Sequence, residues 1–92
     1  MLYHVKMDVS IPRDIPTEQI EAIKQAEKQR ATELQEAGKW PHLWRIVGQY
    51  SNISILDVAS NDELHALLSS LPLFPYMTIQ VTALAKHPSS IV

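Results

Sequence analysis

Cysteine is absent from this 92-residue chain, and glycine occurs only twice. Without thiols, the chain has neither a disulfide framework nor a thiolate nucleophile. Because this absence also fits a reducing compartment, we expect the protein in the cytoplasm. Two glycines are too few for the glycine-rich loops that surround phosphate groups, which argues against a nucleotide-binding loop.

Long apolar runs and basic clusters are also missing. No apolar run approaches the ~20 residues of a membrane span. The N-terminus carries Lys6 and Asp8 where a signal peptide needs an apolar block. The formal net charge of −2 does not favour nucleic acid as a partner. We therefore expect a soluble protein that binds neither membranes nor nucleic acid.

Hydrophobic periodicity predicts the order of the secondary structure elements. Residues 2–9 alternate between apolar and polar side chains, which predicts a strand with one buried face. A helix of about five turns follows, capped by Thr17 and ended by Gly38. The remaining segments predict two strands over 40–50 and 51–58, a short helix over 60–71 and a last strand over 77–85.

The order β-α-β-β-α-β predicts an α+β, ferredoxin-like fold, a four-stranded antiparallel sheet with two helices on one face. We expect one domain over residues 1–92, with residues 86–92 as a C-terminal tail. The other sheet face would be too apolar to remain in water, so we expect a homo-oligomer of the α+β-barrel type. The apolar side chains predicted on that face are Leu2, Trp40, Trp44, Ile46 and either Tyr50 or Leu56.

Glu27 occupies an unusual position on the first helix, because it falls in the middle of the apolar stripe. Burying an unpaired carboxylate is costly, and burial raises its pKa towards neutrality, which suits a general base. The alternative is a glutamate that reaches solvent or pairs with Lys24 or Arg30, one turn away. The other members of the stripe are Ile20, Ile23, Ala31 and Leu34.

Arg45 is a second candidate, since it alternates with Trp44 and Ile46 inside a predicted central strand. A guanidinium is unusual there without an anion to bind. Its planar fork suits a substrate carboxylate. The alternative is a structural ion pair with a nearby acid, such as Glu27.

The histidines do not have the spacing of a helical metal site, and no acidic cluster accompanies them, so we expect no metal. His4 and His42 lie on predicted strands, where each could donate a hydrogen bond to a developing enolate. His65 is predicted to be a surface or interface residue. Tyr76, which lies between Pro75 and Met77, is the tyrosine most suited to line a cleft.

Five fragments in order give the chain a resemblance to the muconolactone isomerases of the catechol branch of the β-ketoadipate pathway. The likeness extends from Met1 to Ile91 and is less clear over residues 10–25 and 59–63, and Arg30 is not typical of the family. The fragments are "MLYHVKM", "AEK" within the first helix, "HLWRI", "LPLFPYM" and "HPSSI".

The resemblance implies an isomerase that converts muconolactone into 3-oxoadipate enol-lactone without metal or organic cofactor. It also implies a high-order homo-oligomer, a decamer of ferredoxin-like subunits. One base can remove a ring proton and return it at the other end of the allylic system, through a dienolate. We expect Glu27 to be this base, while His42, His4 or Tyr76 donates to the dienolate oxygen. Arg45 or Lys28 would bind the acetate arm of the lactone.

Two other functional classes remain open at the level of sequence. Related α+β-barrel subunits that form dimers include methylmuconolactone isomerases and cofactor-free monooxygenases, which use similar apolar pockets. A non-catalytic small-molecule-binding module is the third possibility. In that case Glu27 would be part of a structural ion pair, and its substitution would reduce stability rather than turnover.

Overall fold

Four strands and two α-helices follow one another in the predicted order β-α-β-β-α-β. A computed structural model describes the whole chain, Met1–Val92. One turn of 3₁₀ helix, Phe74–Tyr76, precedes the last strand. The helices are α1 (Thr17–Glu36) and α2 (Asn61–Ser69), and the strands are β1 (Leu2–Val9), β2 (His42–Arg45), β3 (Ser51–Asp57) and β4 (Met77–Leu84).

The strands form one antiparallel sheet in the order β2-β3-β1-β4. On β1, Tyr3, Val5 and Met7 are buried on one face, as their alternation predicts. These side chains share one apolar cluster with Leu34 of α1 and Leu67 of α2, so both helices pack on that face. The predicted α+β, ferredoxin-like fold is confirmed.

The two ends of α1 differ in how well the sequence predicts them. Thr17 is the first helical residue, and Pro16 occupies the cap position without a side-chain hydrogen bond, so the predicted Thr17 cap is wrong. The ring of Pro16 fixes its φ angle, and the residue has the extended backbone that a cap position requires. At the other end, Gly38 has φ +77. The N–H of Lys39 then donates to the Leu34 carbonyl at 3.0 Å, which closes the helix as expected.

β2 is shorter than the predicted strand over 40–50, and it lies at the edge of the sheet rather than at its centre. Trp40 precedes β2 and is only 3% exposed, so its predicted position on the open sheet face is wrong. The reason is Pro41, which has no N–H to donate and delays the start of the strand to His42. Trp40 therefore turns into the core instead of following the alternation of the strand.

The apolar side chains on the open face of the sheet are only partly the predicted ones. Leu56 lies opposite Tyr3 in the register and is fully buried on the helix side, so its assignment to the open face is wrong. Tyr50 lies in the turn between β2 and β3 and not on that face. Leu2 and Trp44 do lie on the open face, where they are 45% and 63% exposed. The face therefore keeps exposed apolar side chains on β1 and β2.

The chain continues beyond β4 as a segment without regular secondary structure, which includes the predicted tail over 86–92. Ile91 and Val92 at its end are almost fully exposed. Neither α-helix combines the length and the apolar character that a bilayer-crossing segment requires.

Candidate active site

A cavity of about 550 Å³ lies between α1, the sheet and the segment that precedes β4. Its volume falls in the range of roughly 300–1,000 Å³ that small-molecule sites occupy. Apolar side chains such as Met7, Leu73 and Met77 form much of its wall. Charged and polar groups enter from α1, β2 and β3. The size and lining of the cavity therefore make it the candidate active site.

Glu27 lines this cavity, where the apolar stripe of α1 faces the sheet. Ile20 and Leu34, two turns away on either side, are buried, and Glu27 between them is half-buried. Its Oε1 accepts a hydrogen bond of 2.8 Å from the backbone N–H of Leu73. Its Oε2 has no partner within the protein. One carboxylate oxygen is thus fixed by the main chain, and the other is free to react.

Glu27 forms none of the ion pairs that its helix neighbours offered. Lys24 pairs with Glu21 at 3.8 Å, and Arg30 pairs with Glu33 at 3.6 Å. Burial raises the pKa of Glu27, and the hydrogen bond from Leu73 offsets part of that rise. A half-buried carboxylate with a raised pKa and no cationic partner is suited to accept and return a proton.

Two cations without acidic partners line the same cavity, Lys28 of α1 and Arg45 of β2. The guanidinium of Arg45 lies 5.4 Å from the centroid of the Tyr50 ring. Its Nη1 is 3.5 Å from the carbonyl oxygen of Gln49. The structural ion pair between Arg45 and Glu27 does not form. Since Arg45 is exposed on an edge strand, its charge is available to an anionic ligand at the mouth of the cavity.

The structure does not bring His4, His42 or Tyr76 into the cavity. His4 and His42 both lie opposite Ile55 in the register, on the face of the sheet that points away from the helices. There, the ring of His42 stacks on Trp44 with centroids 6.3 Å apart. Tyr76 belongs to the 3₁₀ turn beside the cavity. Of the six predicted site residues, Glu27, Lys28 and Arg45 are together, and these three are apart.

Other cavity residues were not predicted from the sequence. Asn52 of β3 lies opposite Arg45, and its Oδ1 accepts a hydrogen bond of 2.7 Å from the hydroxyl of Ser54. The indole of Trp40 also lines the cavity, and its buried Nε1 has no hydrogen-bond partner. Asn52 could have been found only from the strand register, which the ambiguous turn between β2 and β3 leaves open.

Another ion pair lies outside this cavity. Lys39, at the end of α1, pairs with Glu63 at the start of α2, and this hydrogen bond holds the pKa of Glu63 below its usual value. The backbone N–H of Ala59 donates to the other oxygen of Glu63 at 2.8 Å. No three His, Asp or Glu side chains are placed so that they could share a metal ion. Glu27 is therefore the one carboxylate that lines the cavity.

Comparison with known proteins gives a consistent result. A family model described as muconolactone delta-isomerase matches residues 1–90. The chain is 63% identical to the muconolactone delta-isomerase of Cupriavidus pinatubonensis, with 99% of each chain covered. It is 59% identical to muconolactone delta-isomerase 1 of Acinetobacter lwoffii, over 99% of this chain and 95% of that protein. A crystal structure of muconolactone isomerase at 3.3 Å resolution superposes with a TM-score of 0.94 at 51% identity, covering 100% of this chain and 96% of that one.

Proposed function

Since this chain belongs to the muconolactone delta-isomerase family, we propose that it is an isomerase that converts muconolactone into 3-oxoadipate enol-lactone. The reaction belongs to the catabolism of catechol through the β-ketoadipate pathway. The observation that carries the proposal is the half-buried carboxylate of Glu27, which faces a cavity of ligand size without a cationic partner.

Glu27 acts as the base in this proposal. A ring C–H bond of the lactone breaks, its proton passes to the carboxylate, and its electron pair delocalises onto the carbonyl oxygen as a dienolate. The same proton then forms a C–H bond at the other end of the allylic system, which restores the carbonyl and the ionised Glu27. The hydrogen bond from Leu73 to Oε1 supports this role, because it fixes the carboxylate and leaves Oε2 for the proton.

The cations at the cavity mouth account for substrate orientation. Muconolactone carries an acetate arm, and Arg45 and Lys28 are the unpaired cations that line the cavity. A guanidinium binds a carboxylate through two parallel hydrogen bonds, so we assign the acetate arm to Arg45 with Lys28 as the second contact. Bound in this way, the ring lies towards α1 and its base.

We also propose that the active protein is a homo-oligomer, assembled as a decamer, in the cytoplasm. The support is the open sheet face, where the apolar side chains of Leu2 and Trp44 are exposed in the single chain. A second copy of this chain would cover such a surface. A reducing cytoplasm is also compatible with a chain that has no cysteine.

The test is a spectroscopic assay of the purified protein on muconolactone. We expect turnover by the parent protein and a loss of at least about 100-fold in kcat for Glu27→Gln, which keeps shape and removes basicity. The matched control is Glu36→Gln, an exposed glutamate of the same helix without an ion pair, and it should retain parental kcat. Equal turnover by Glu27→Gln and the parent would reject Glu27 as the base.

The same assay separates the alternative functions. Isomerisation needs no oxygen, so turnover should be unchanged under anaerobic conditions, whereas a monooxygenase would stop. A methylmuconolactone isomerase would prefer methyl-substituted lactones over muconolactone. A non-catalytic module would turn over none of them, and Glu27→Gln would then change only its stability.

A further inference from the structure

The proposed reaction needs a hydrogen-bond donor for the carbonyl oxygen, which becomes negatively charged in the dienolate. Such donors supply a large part of the rate acceleration in reactions of this type. The histidines and the tyrosine that the sequence suggests for this role do not line the cavity. The donor must therefore be sought among the uncharged polar side chains that do, which are Thr32, Gln35, Trp40, Tyr50 and Asn52.

Four of these five side chains are poorly suited. Thr32 donates its hydroxyl to the Lys28 carbonyl at 2.9 Å, and Gln35 donates its amide to the Ala31 carbonyl at 3.1 Å, so both serve their own helix. The ring of Tyr50 lies near Lys24 and Arg45 and is 42% exposed. The indole Nε1 of Trp40 is buried away from any partner, and a ligand would reach it only after the ring turned.

Asn52 has the required geometry. It is half-buried on the helix side of β3, in register with Met7 of β1 and Arg45 of β2. Its Oδ1 is occupied by the hydroxyl of Ser54, 2.7 Å away. Because the amide oxygen is held there, the amide nitrogen points to the other side, and its two N–H groups form no hydrogen bond within the protein.

Ser54 itself requires an explanation, because it is a fully buried hydroxyl on the sheet face that packs the apolar core against the helices. A buried hydroxyl is costly unless it has a partner, and the partner it has is the side chain of Asn52. The hydrogen bond from Ser54 therefore holds the side-chain amide of Asn52 in one orientation. Asn52 lines the same cavity as Glu27.

We propose that the side-chain amide of Asn52 donates a hydrogen bond to the lactone carbonyl oxygen and stabilises the dienolate, while Ser54 is the positioning residue that orients the amide. The inference rests on the proposed isomerase function. Asn52 and Arg45 are cross-strand neighbours, so they can hold the two oxygen-bearing ends of one small lactone, the carbonyl and the acetate arm. No proton leaves the amide, since Glu27 carries the only proton that moves.

The experiment measures kcat and KM on muconolactone for two Asn52 variants. Asn52→Leu keeps most of the volume and removes the donors, and we expect kcat to fall by about 10²–10³-fold with KM changed little. Asn52→Asp has nearly the same shape and also lacks the donors, so it should lose at least as much. If Asn52→Leu does not fold, Asn52→Asp carries the test, with the melting temperature as the measure of folding.

Ser54→Ala tests positioning, because it leaves the donor present but free to rotate. We expect a fall of about tenfold in kcat, with an unchanged KM and an unchanged melting temperature. The control is Thr32→Val, another cavity residue, whose hydroxyl is bonded to its own helix and whose loss should leave kcat unchanged.

The outcomes distinguish this inference from the proposed function. Parental kcat in both Asn52 variants, with Glu27→Gln inactive, would reject the role of Asn52 and leave the isomerase intact. An equal loss in Thr32→Val would also reject it, because the effect would then be a general perturbation of the cavity. An inactive parent protein would instead reject the isomerase function on which this inference rests.

Discussion

Two local features shift the pKa of Glu27 in opposite directions. Burial in the cavity wall raises its pKa, while the hydrogen bond from Leu73 partly compensates by favouring the ionised form. The net direction is upward. The carboxyl therefore binds protons more readily in the folded protein than in the unfolded chain, and both activity and stability should depend on pH through this group.

The pH dependence of activity has a definite sign. The base must be ionised to accept a proton, so kcat/KM should rise with pH along an acidic limb. We expect the midpoint of that limb to lie above the usual pKa of a glutamate. A pH–rate profile on muconolactone measures it. A midpoint at or below the usual glutamate value would contradict the raised pKa of the free enzyme.

The same shift has a consequence for stability. A raised folded-state pKa means that Glu27 favours the folded state most when it is protonated, at low pH. This contribution disappears as pH rises through the folded-state pKa. In chemical denaturation at neutral pH, Glu27→Gln should thus be at least as stable as the parent, which also serves as a folding control for the kinetic loss.

Arg45 allows a second prediction for a single residue. Arg45→Met removes the charge but keeps much of the side-chain length, so we expect KM for muconolactone to rise by about tenfold or more, with kcat little changed. The matched control is Arg30→Met, because Arg30 pairs with Glu33 outside the cavity. If KM stays at the parental value in Arg45→Met and rises in Lys28→Met, the acetate arm binds to Lys28 instead.

The sequence predicts the position of a side chain correctly where the periodicity of one helix determines it. The period of α1 alone places Glu27 among buried apolar neighbours, and the structure agrees. The structure leaves His4 outside the cavity for a reason that the sequence already contains, because His4 alternates with Tyr3 and Val5 and so faces away from the cavity. Prediction fails for another reason where a side chain depends on strand register. Asn52 could not be identified, because its pairing with Arg45 follows from the length of a turn.

At the scale of elements, the C-terminus of α1 is the most specific prediction of the sequence. Gly38 adopts φ +77, and nothing lies within 4 Å of the position that a Cβ would occupy. Gly38→Ala should therefore cost only the backbone strain of the left-handed conformation, about 1 kcal/mol of the free energy of unfolding. Urea denaturation at fixed protein concentration measures it.

The comparison for this prediction is Gly48→Ala, in the turn between β2 and β3. Gly48 has φ +79 and equally open surroundings, so a similar loss is expected there. A fully stable Gly38→Ala variant would show that the helix end can relax into another conformation. The predictions that failed at this scale, the Thr17 cap and the long β2, both lie beside a proline.

At the scale of the whole molecule, the proposed assembly depends on the open face of the sheet. Trp44 is 63% exposed and stacks on His42, which leaves an aromatic surface on an edge strand. We expect the parent protein to sediment as an oligomer at micromolar concentration. Trp44→Lys should shift it towards smaller species, because a buried unpaired ammonium would oppose association.

The control for association is Val47→Lys, which alters an apolar side chain that is 93% exposed in the turn and lies outside the sheet face. It should leave the sedimentation coefficient unchanged. A parent protein that remains monomeric at this concentration would contradict the assembly. The sequence predicts a second sheet face with apolar side chains, and Leu2 and Trp44 do lie there. Trp40 and Leu56 were misplaced, since both are buried beneath the helices.

The anchor of Glu27 is a main-chain amide, which has a practical meaning for anyone who wishes to redesign this pocket. Exchange of the Leu73 side chain for a smaller one would enlarge the cavity. The backbone N–H of residue 73, which donates to Oε1 of Glu27, would stay where it is. A change in the number of residues between α2 and β4 would displace that N–H. Libraries aimed at bulkier lactones should therefore vary side-chain identity over this stretch and keep its length constant.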